Sequence, residues 1–340
     1  MKIGVLTGGG DCPGLNPVIR ATVRTAHHYG YQVMGIENGW KGLVENTARP
    51  LDLGAVSGII HRGGTILGTS RTNPYGDPAK LEKLKSHFKS LGLDALIVIG
   101  GEDTLGVAAK LYKDGFKVVG VPKTIDNDLS GTDFTFGFDT AVNIAMEAID
   151  RLHSTAESHH RIMVVEVMGR HAGWIALHSG IAGGADLILI PEIPIRINEV
   201  LDVIQRRQRR GKQFSIVVVA EGAKFEGSEV LVGKKLDDFG HSRLGGIGEL
   251  LAQKIEESTK CETRVTVLGH IQRGGSATAY DRVLGTRFGS KAVELVRAGQ
   301  FGQMVALKGT EIVSVAIEVA VGKLKTVDPS FYEMAKVFFG

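Results

Sequence analysis

Residues 3–16 read IGVLTGGGDCPGLN, and this stretch joins a short apolar run to a glycine-rich loop and to the start of an amphipathic segment. The apolar residues 3–6 predict a buried strand, and the spacing of apolar residues over 16–28 predicts a helix. Glycines between these elements let backbone amides approach phosphate oxygens, and a helix N-terminus favours an anion. The loop has neither the dinucleotide nor the Walker spacing, so by itself it predicts either a phosphate site or an ordinary turn.

The same alternation of apolar runs and amphipathic segments continues along the chain. Strands are predicted at residues 3–6, 95–99, 117–121, 162–167, 187–190, 215–220 and 263–268. Helical periodicity is visible, for example, at residues 16–28, 104–113, 140–155, 197–210 and 246–258. Continuous apolar strands that alternate with helices are typical of a doubly wound α/β protein whose parallel sheet is covered on both faces.

Length and composition limit the class of protein further. A chain of 340 residues exceeds what one core usually supports, so we expect two domains with a boundary near residue 140. The 46 glycines are nearly twice the usual share and indicate many tight turns. A formal net charge of +3 is too small to indicate a nucleic-acid or membrane partner. The basic run at residues 206–212 is explained by the end of a helix.

Neither the cysteines nor the hydropathy indicates export. Cys12 and Cys261 stand far apart and offer neither a disulfide framework nor the spacing of a metal site. No window approaches 18 uninterrupted apolar residues, and the first apolar run is too short for a signal peptide. We therefore expect a cytoplasmic protein that does not span a membrane.

Polar residues follow two more of the predicted strands. The sequence GGEDT occupies residues 100–104 after one strand, and PKTIDND occupies residues 122–128 after the next. Two carboxylates two residues apart, beside a lysine and a threonine, can supply a general base and a metal ligand for phosphoryl transfer. A polar turn with a capping aspartate is the alternative for an isolated Asp-Asn-Asp. Because open α/β sheets bind ligands beyond the carboxyl ends of their strands, these loops and the first one predict a shared phosphate site.

Taken together, the motifs resemble the phosphofructokinase family, in both its ATP-dependent and its pyrophosphate-dependent branches. They are GGDCPGLN at residues 9–16, RGGT at 62–65, GGEDT at 100–104, TIDND at 124–128, EVMGR at 166–170, AEG at 220–222 and LGHIQRGG at 268–275. The resemblance implies a phosphofructokinase fold, with two Rossmann-like doubly wound domains and mainly parallel sheets. It assigns residues 1–140 and about 252–305 to a donor-binding domain, and residues 141–251 and about 306–325 to a fructose 6-phosphate-binding domain.

The resemblance also implies roles for individual residues in transfer of a phosphoryl group to the 1-hydroxyl of fructose 6-phosphate. Asp126 would accept the proton of that hydroxyl, with Thr124 and Arg170 beside the transferred group, while Glu102 and Asp128 would face Mg²⁺. The residues implied to hold the sugar phosphate are Met168, Gly169, Arg170, Glu221, His270 and Arg273, with Arg161 and Arg264 from a neighbouring subunit. A site completed in this way implies a homodimer or a homotetramer. Taken singly, an arginine such as Arg264 is more often part of a surface ion pair.

The phosphoryl donor is predicted from two positions at which ATP-dependent relatives carry glycine and this chain carries Asp103 and Lys123. A carboxylate at Asp103 would repel the α-phosphate of a nucleotide by about 4 kcal/mol at about 4 Å and an effective dielectric near 20. Lys123 would offset that charge and bind pyrophosphate, which is therefore the predicted donor. ATP remains the alternative if Asp103 only caps the following helix. Gly10, Arg71 and Thr104 complete the predicted donor site.

Two features depart from the family pattern. Glu102 stands where most relatives carry aspartate, which leaves the geometry of the metal open. Arg20 and Arg24 match the effector pocket of allosteric bacterial relatives, but Leu53 and His153 occupy positions at which those relatives place arginines. A pocket that lacks two cations should bind a nucleotide effector poorly, so we expect little allosteric control.

Two rival functions follow from the same sequence. A nicotinamide dehydrogenase is disfavoured because the first loop lacks the glycine spacing and the acidic residue that binds ribose. A sugar-phosphate sensor would keep Arg170, His270 and Arg273 but would not need Asp126. The sequence leaves open the direction of the reaction, the choice between dimer and tetramer, and activity on sedoheptulose 7-phosphate.

Overall fold

The computed structural model describes residues 1–227 and 245–340 of the chain. Its strands are, in chain order, β1 (Lys2–Thr7), β2 (Gln32–Ile36), β3 (Ala48–Pro50), β4 (Ala95–Gly100), β5 (Val118–Pro122), β6 (Ile162–Val167), β7 (Leu187–Leu189), β8 (Ser215–Ala220), β9 (Thr263–Val267), β10 (Gln303–Lys308) and β11 (Glu311–Ala316). Its helices are α1 (Leu15–His28), α2 (Trp40–Glu45), α3 (Pro78–Ser90), α4 (Glu102–Lys113), α5 (Phe138–His159), α6 (Trp174–Ala182), α7 (Ile197–Arg209), α8 (Ile247–Thr259), α9 (Ala279–Arg297), α10 (Ile317–Gly322) and α11 (Pro329–Lys336). Among the described residues, no helix is long and apolar enough to cross a bilayer.

These strands form two sheets. The larger sheet has the order β11-β10-β5-β4-β1-β2-β3, and the smaller sheet has the order β7-β8-β6-β9. Neighbouring strands run parallel except in the edge pairs β2–β3 and β10–β11 of the larger sheet. This arrangement confirms the predicted α/β class with mainly parallel sheets. All seven strands that the apolar runs predict are present.

The strand pairing corrects the predicted division of the chain. Residues 252–305 are predicted to join residues 1–140, but β9 pairs with β6 in the smaller sheet. Residues 306–325 are predicted to join residues 141–251, but β10 pairs with β5, and β11 pairs with β10, in the larger sheet. The chain returns to the larger sheet through α9, which packs closely on α1 because Gly285 and Gly289 have no side chain at the contact. Local sequence patterns do not reveal which sheet a returning strand joins.

Apolar side chains cover both faces of each sheet. One buried cluster contains residues of both sheets, among them Val5 of β1 and Val165 of β6, with Phe138 of α5. A second cluster lies on the other face of the larger sheet around Leu96, and a third lies on the other face of the smaller sheet around Val217. This burial explains why the central strands have continuous apolar sequences.

The first turns of α5 and α9 lie side by side and bind each other through polar groups. The Oδ2 atom of Asp281 accepts hydrogen bonds from the backbone N–H and the hydroxyl of Thr140, at 2.8 and 2.6 Å. Thr278 caps α9 and donates its hydroxyl to Asp139 at 2.6 Å. Because the first N–H groups of a helix have no partner within the helix, each helix supplies acceptors for the other. Burial raises the pKa of Asp281 to about 6, although the hydrogen bonds from Thr140 act against that rise.

Replacing Asp281 by alanine should lower the free energy of unfolding by about 3 kcal/mol, because two donors of Thr140 would lose their buried acceptor. The D281N variant keeps an acceptor oxygen of the same shape and should lose less. Urea or thermal unfolding, with the exposed Asp202→Ala on α7 as the control, measures the difference. A D281A variant as stable as the D202A control would show that the paired caps contribute little.

Candidate active site

A cavity of about 140 Å³ lies beyond the carboxyl ends of the adjacent strands β1, β4 and β5. Its walls contain all of the predicted donor and metal residues together with the predicted catalytic residues, which are Gly10, Arg71, Glu102, Asp103, Thr104, Lys123, Thr124, Asp126, Asp128 and Arg170. Arg273, which the sequence assigns to the sugar phosphate, also lines this cavity. A larger cavity of about 720 Å³ between α7 and α11 contains none of the predicted site residues. The structure therefore brings one coherent set of polar groups to the edge that parallel strands favour for a ligand.

The first glycine loop follows β1 and is fixed by hydrogen bonds to residues 69 and 70. The Gly9 N–H donates to the Ser70 carbonyl at 3.1 Å, and the Thr69 hydroxyl donates to the Gly9 carbonyl at 2.6 Å. At Gly10, a Cβ atom would stand 2.7 Å from Nη1 of Arg273, and that Nη1 donates to the Asp11 carbonyl at 3.2 Å. The glycine thus makes room for a guanidinium group at the mouth of the cavity.

Thr104 holds the first and second glycine loops together. Its side chain is buried so closely against both that a Cβ at Gly8 would stand 2.7 Å from it, and a Cβ at Gly100 would stand 2.3 Å from it. The backbone of the two loops is also joined by a hydrogen bond from the Gly8 N–H to the Ile99 carbonyl at 2.9 Å. The close packing of the Thr104 side chain explains why Gly8 and Gly100 have no room for a Cβ atom.

Lys123 places a buried positive charge beneath the donor loops. Its side chain is only 4% exposed, and Nζ donates to the Gly10 carbonyl at 2.5 Å. Burial lowers the pKa of Lys123, while the nearby Cys12, Asp11 and Asp126 act in the opposite direction. An ammonium group in such a site gains from an anionic ligand, because an added negative charge offsets the cost of its desolvation.

The loop after β5 is braced by its own hydrogen bonds. The Thr124 hydroxyl accepts from the Asp126 N–H at 3.0 Å, and the Thr124 carbonyl accepts from the Thr135 hydroxyl at 2.7 Å. Between the two aspartates, Asn127 is buried with a φ of 52°, a left-handed conformation that asparagine tolerates better than most residues. This turn lets Asp126 and Asp128 both reach the cavity.

Asp126 has the properties of a general base. Its Oδ1 atom is buried and has no hydrogen-bond partner within residues 1–227 and 245–340. Burial raises the pKa of Asp126, and the guanidinium groups of Arg273 and Arg170 act against the rise. An unpartnered carboxylate oxygen beside a cavity is placed to accept a proton from a ligand hydroxyl.

Asp128 and Glu102 add two further carboxylates to the same cavity. Burial, followed by the negative charge of Asp126, raises the pKa of Asp128 to about 7, and Glu102 acts in the same direction. A divalent cation would relieve this repulsion. Within the part of the chain that the structure describes, no three or more acidic, histidine or cysteine residues form a ready-made metal site. The carboxylates therefore fit an ion such as Mg²⁺, which is usually held by one or two carboxylates together with substrate phosphates and water.

The predicted sugar residues lie at the carboxyl ends of the smaller sheet. Met168, Gly169 and Arg170 follow β6, Glu221 follows β8, and His270 lies in the 3₁₀ turn Gly269–Arg273 after β9. Among the predicted sugar residues, only Arg170 and Arg273 line the 140 Å³ cavity.

Glu221 is linked electrostatically to the cavity. Burial, followed by the charge of Asp126, raises the pKa of Glu221 to about 7, while Arg170 and Arg273 act against the rise. The next residue, Gly222, lies against the loop after β6, since a Cβ there would stand 2.0 Å from the Arg170 carbonyl. Glu221 and Arg170 are thus held in a fixed relation by backbone contact.

Arg161 and Arg264 lie away from this site. Arg161 immediately precedes β6 and Arg264 is the second residue of β9, so both are at the amino ends of strands whose carboxyl ends face the cavity. Glu262 pairs with both, at 2.8 Å from Nη2 of Arg161. The described part of one chain therefore does not bring these two arginines to the residues they are predicted to join.

Two residues of the site are absent from the sequence prediction. His171 follows Arg170 and lines the cavity, and its charge lowers the pKa of Asp126. Gln272 is fully buried in the turn after β9, and its Oε1 accepts from the Met168 N–H at 3.3 Å. Gln272 lies inside the motif at residues 268–275 and His171 directly follows the motif at residues 166–170, so their positions beside Arg273 and Arg170 were the available signal.

Known proteins resemble this chain in sequence and in structure. A family model described as phosphofructokinase matches residues 2–296. The chain is 60% identical over 342 residues, with full coverage of both chains, to the pyrophosphate--fructose 6-phosphate 1-phosphotransferase of Amycolatopsis methanolica. It is 54% identical to ATP-dependent 6-phosphofructokinase 2 of Clostridium perfringens, over 96% of this chain and 94% of that protein. Its structure is similar to a pyrophosphate-dependent phosphofructokinase from Marinobacter aquaeolei, with a TM-score of 0.82, 25% identity, and coverage of 96% of this chain and 86% of that one.

Proposed function

The chain belongs to the phosphofructokinase family, and from that premise we propose that it is a phosphotransferase that uses pyrophosphate to phosphorylate the 1-hydroxyl of fructose 6-phosphate. The products are fructose 1,6-bisphosphate and inorganic phosphate. The observation that carries the choice of donor is the buried Lys123 ammonium, which lies with Asp103 on the wall of a cavity of about 140 Å³. The Asp103 carboxylate on the same wall would repel the α-phosphate of a nucleotide, so a two-phosphate donor suits this site better than a nucleotide.

Asp126 begins the proposed reaction as the general base. Its unpartnered Oδ1 accepts the proton of the sugar 1-hydroxyl. The sugar oxygen then forms a bond to one phosphorus atom of pyrophosphate, and the bond from that phosphorus to the bridging oxygen breaks. Inorganic phosphate leaves with the electron pair of that bond, so no covalent intermediate with the enzyme is needed.

Positive side chains supply the charge that the transfer requires. Lys123, Arg71, Arg170 and Arg273 all line the cavity. We assign the first two to the donor and the last two to the transferred group and the sugar phosphate. Thr124 lies beside Asp126 and is placed near the transferred group. Fixed charges of this kind stabilise a phosphoryl group in transit without having to reorganise during the reaction.

Glu102 and Asp128 are the residues that would hold Mg²⁺. The ion, when bound, neutralises negative charge on the oxygens of the donor. The pKa of Asp128 is raised by burial first and then by the charges of Asp126 and Glu102, and these neighbouring carboxylates support the assignment. The longer side chain of Glu102 occupies the position at which most relatives are expected to carry aspartate.

The sugar phosphate is proposed to lie against the smaller sheet, with Glu221 accepting sugar hydroxyl groups and His270 binding the phosphate. Met168 and Gly169 line the same side. Arg161 and Arg264 are proposed to complete the site of a neighbouring subunit in a homodimer or homotetramer. Both arginines lie at the amino ends of their strands, whereas the site of their own chain lies at the carboxyl ends. This position supports a role in the site of another subunit.

We further propose that nucleotide effectors have little influence on this enzyme. At the positions where allosteric relatives are expected to carry arginines, this chain has Leu53 and His153. The His153 ring already forms a 2.7 Å hydrogen bond to the Gly183 carbonyl through Nε2. It therefore has a structural partner within the chain, and that nitrogen is already engaged.

The proposal is tested by assaying purified protein with fructose 6-phosphate and Mg²⁺, with pyrophosphate and ATP compared side by side. We expect turnover with pyrophosphate and little or none with ATP, because Asp103 and Lys123 together disfavour a nucleotide. Turnover confined to ATP would reverse the assignment of the donor. Binding of fructose 6-phosphate without turnover from either donor would instead favour a sensor.

A further inference from the structure

A short segment near the C-terminus contacts both the loop after β5 and the beginning of α6. Residues 324–327, which we call the C-terminal strap, follow α10 and precede α11. Leu324 forms an isolated antiparallel bridge with Leu129, and the Lys325 N–H donates to the Asp128 carbonyl at 2.8 Å. The strap therefore contacts the loop after β5 through its backbone.

The side chain of Lys325 reaches into the same loop. Its ammonium group donates to Oδ1 of Asn127 at 3.0 Å, to the Thr132 carbonyl at 3.0 Å and to the Asp133 carbonyl at 2.8 Å. These three acceptors use all three protons of the group. Lys325 does not line the 140 Å³ cavity, so its contact with the site passes through the loop.

The strap also holds the loop that carries Arg170. The Lys325 carbonyl accepts from Nε1 of Trp174 at 2.9 Å, and Trp174 begins α6 directly after that loop. The Glu192 carboxylate joins the next two groups, because it accepts from the Gly173 N–H at 3.0 Å and from the Val327 N–H at 2.8 Å. Lys325 is thus bonded to the loop of the general base and, through its carbonyl, to the first residue of the helix that follows the loop of Arg170.

Asn127 is the point at which this contact matters. It stands between Asp126 and Asp128, has a left-handed backbone and is only 2% exposed. Its Oδ1 accepts from the Thr135 N–H at 3.1 Å as well as from Lys325. A side chain held from two directions fixes the turn, and the turn decides where the two neighbouring carboxylates point.

We propose that Lys325 is a positioning residue for the phosphoryl transfer assigned above: it holds Asn127 so that Asp126 meets the sugar hydroxyl while Arg170 is kept in register with it. The inference rests on the proposed function. It differs from a purely structural role because it requires loss of turnover without loss of sugar binding. Fructose 6-phosphate is proposed to bind mainly to residues of the smaller sheet. The ammonium group of Lys325 lies 5.5 Å from the centroid of the Trp174 ring, but its three hydrogen bonds all go to the loop after β5.

The test compares Lys325→Met with Lys308→Met. The Lys308 ammonium also binds this loop, at 3.0 Å from Oδ1 of Asp133, but on its exposed side. K325M should lower kcat with pyrophosphate by about 10–100-fold, as displacement of a reacting group by about 1 Å can do. Its affinity for fructose 6-phosphate, measured without donor or metal, should stay close to that of the wild type, and K308M should keep the wild-type kcat.

Two further measurements separate positioning from folding. Hydrogen exchange of peptides covering residues 124–135 should be faster in K325M and unchanged in K308M. In Lys325→Ala, an added primary alkylammonium ion should restore part of the lost kcat, since it can replace the three donated hydrogen bonds. An unchanged kcat in K325M, or a parallel loss of kcat, sugar affinity and thermal stability with no rescue, would overturn the inference.

Failure of the proposed function would look different. The wild-type protein would then turn over neither donor, while exchange over residues 124–135 would still report whether Lys325 holds the loop. Slow exchange that K325M does not alter would reject the role of Lys325 whatever reaction the site performs. Wild-type turnover with unaltered K325M turnover would reject only the positioning role.

Discussion

Replacing Asp126 by asparagine is expected to lower kcat for phosphoryl transfer by about 10²–10⁴-fold, the usual contribution of a general base. Asparagine keeps the shape of the side chain but cannot accept the proton of the sugar hydroxyl. The buried, unpartnered Oδ1 of Asp126 is the acceptor that the change removes. Initial rates at saturating fructose 6-phosphate and pyrophosphate measure the effect.

Asp133→Asn is the matched control for D126N. Asp133 lies farther along the same loop, where its carboxylate binds Lys308 and the Gly309 N–H on the exposed side. This variant should retain turnover. D126N should also still bind fructose 6-phosphate. Loss of the Asp126 charge removes one cause of the raised pKa of Glu221, so Glu221 stays able to accept hydrogen bonds from the sugar hydroxyl groups. A D126N enzyme with nearly wild-type kcat would show that another group takes the proton.

Replacing Lys123 by methionine is expected to lower kcat/KM for pyrophosphate by about 10²-fold, which corresponds to a hydrogen bond to a charged group of about 1.5–3 kcal/mol. The ammonium group is buried beside the first glycine loop and lines the same cavity as Asp103, where it would offset the charge of the donor. Methionine has a similar length but no charge. Steady-state kinetics with pyrophosphate varied at saturating fructose 6-phosphate give the ratio.

Lys113→Met, at the exposed end of α4, serves as the control for K123M. Its ammonium is 3.9 Å from the Glu318 carboxylate, and both side chains are exposed, so its loss should not alter the kinetics. The affinity of K123M for fructose 6-phosphate should also be unchanged. If K123M used pyrophosphate as well as the wild type, the argument from the donor cavity would fail.

The central strands could be predicted from sequence because burial on both faces leaves them continuously apolar. The edge strands β3 and β11 of the larger sheet could not, for two different reasons. β3 contains only three residues, and β11 is partly exposed along its whole length. The division of the chain was also beyond local patterns, since β9 and β10 join different sheets although both follow a helix in the sequence.

The chemical groups of the site were predictable because glycines and charged residues directly follow buried strands. Residues that act at a distance in sequence were not. Lys325 and Asp133 are 192 residues apart, and only the fold brings them within 2.8 Å. His171 was within reach of the sequence argument, but a histidine beside an arginine carries no distinctive signal until its cavity is known.

The order of strands in the larger sheet has a consequence for synthesis on the ribosome. The smaller sheet has all its strands once β9 has been made, whereas the larger sheet still lacks β10 and β11. Until then β5 is an unpaired edge strand in the nascent chain, and its backbone groups can pair with a strand of another molecule. Fragments that end before residue 303 should therefore aggregate, although they contain all the residues of the donor cavity.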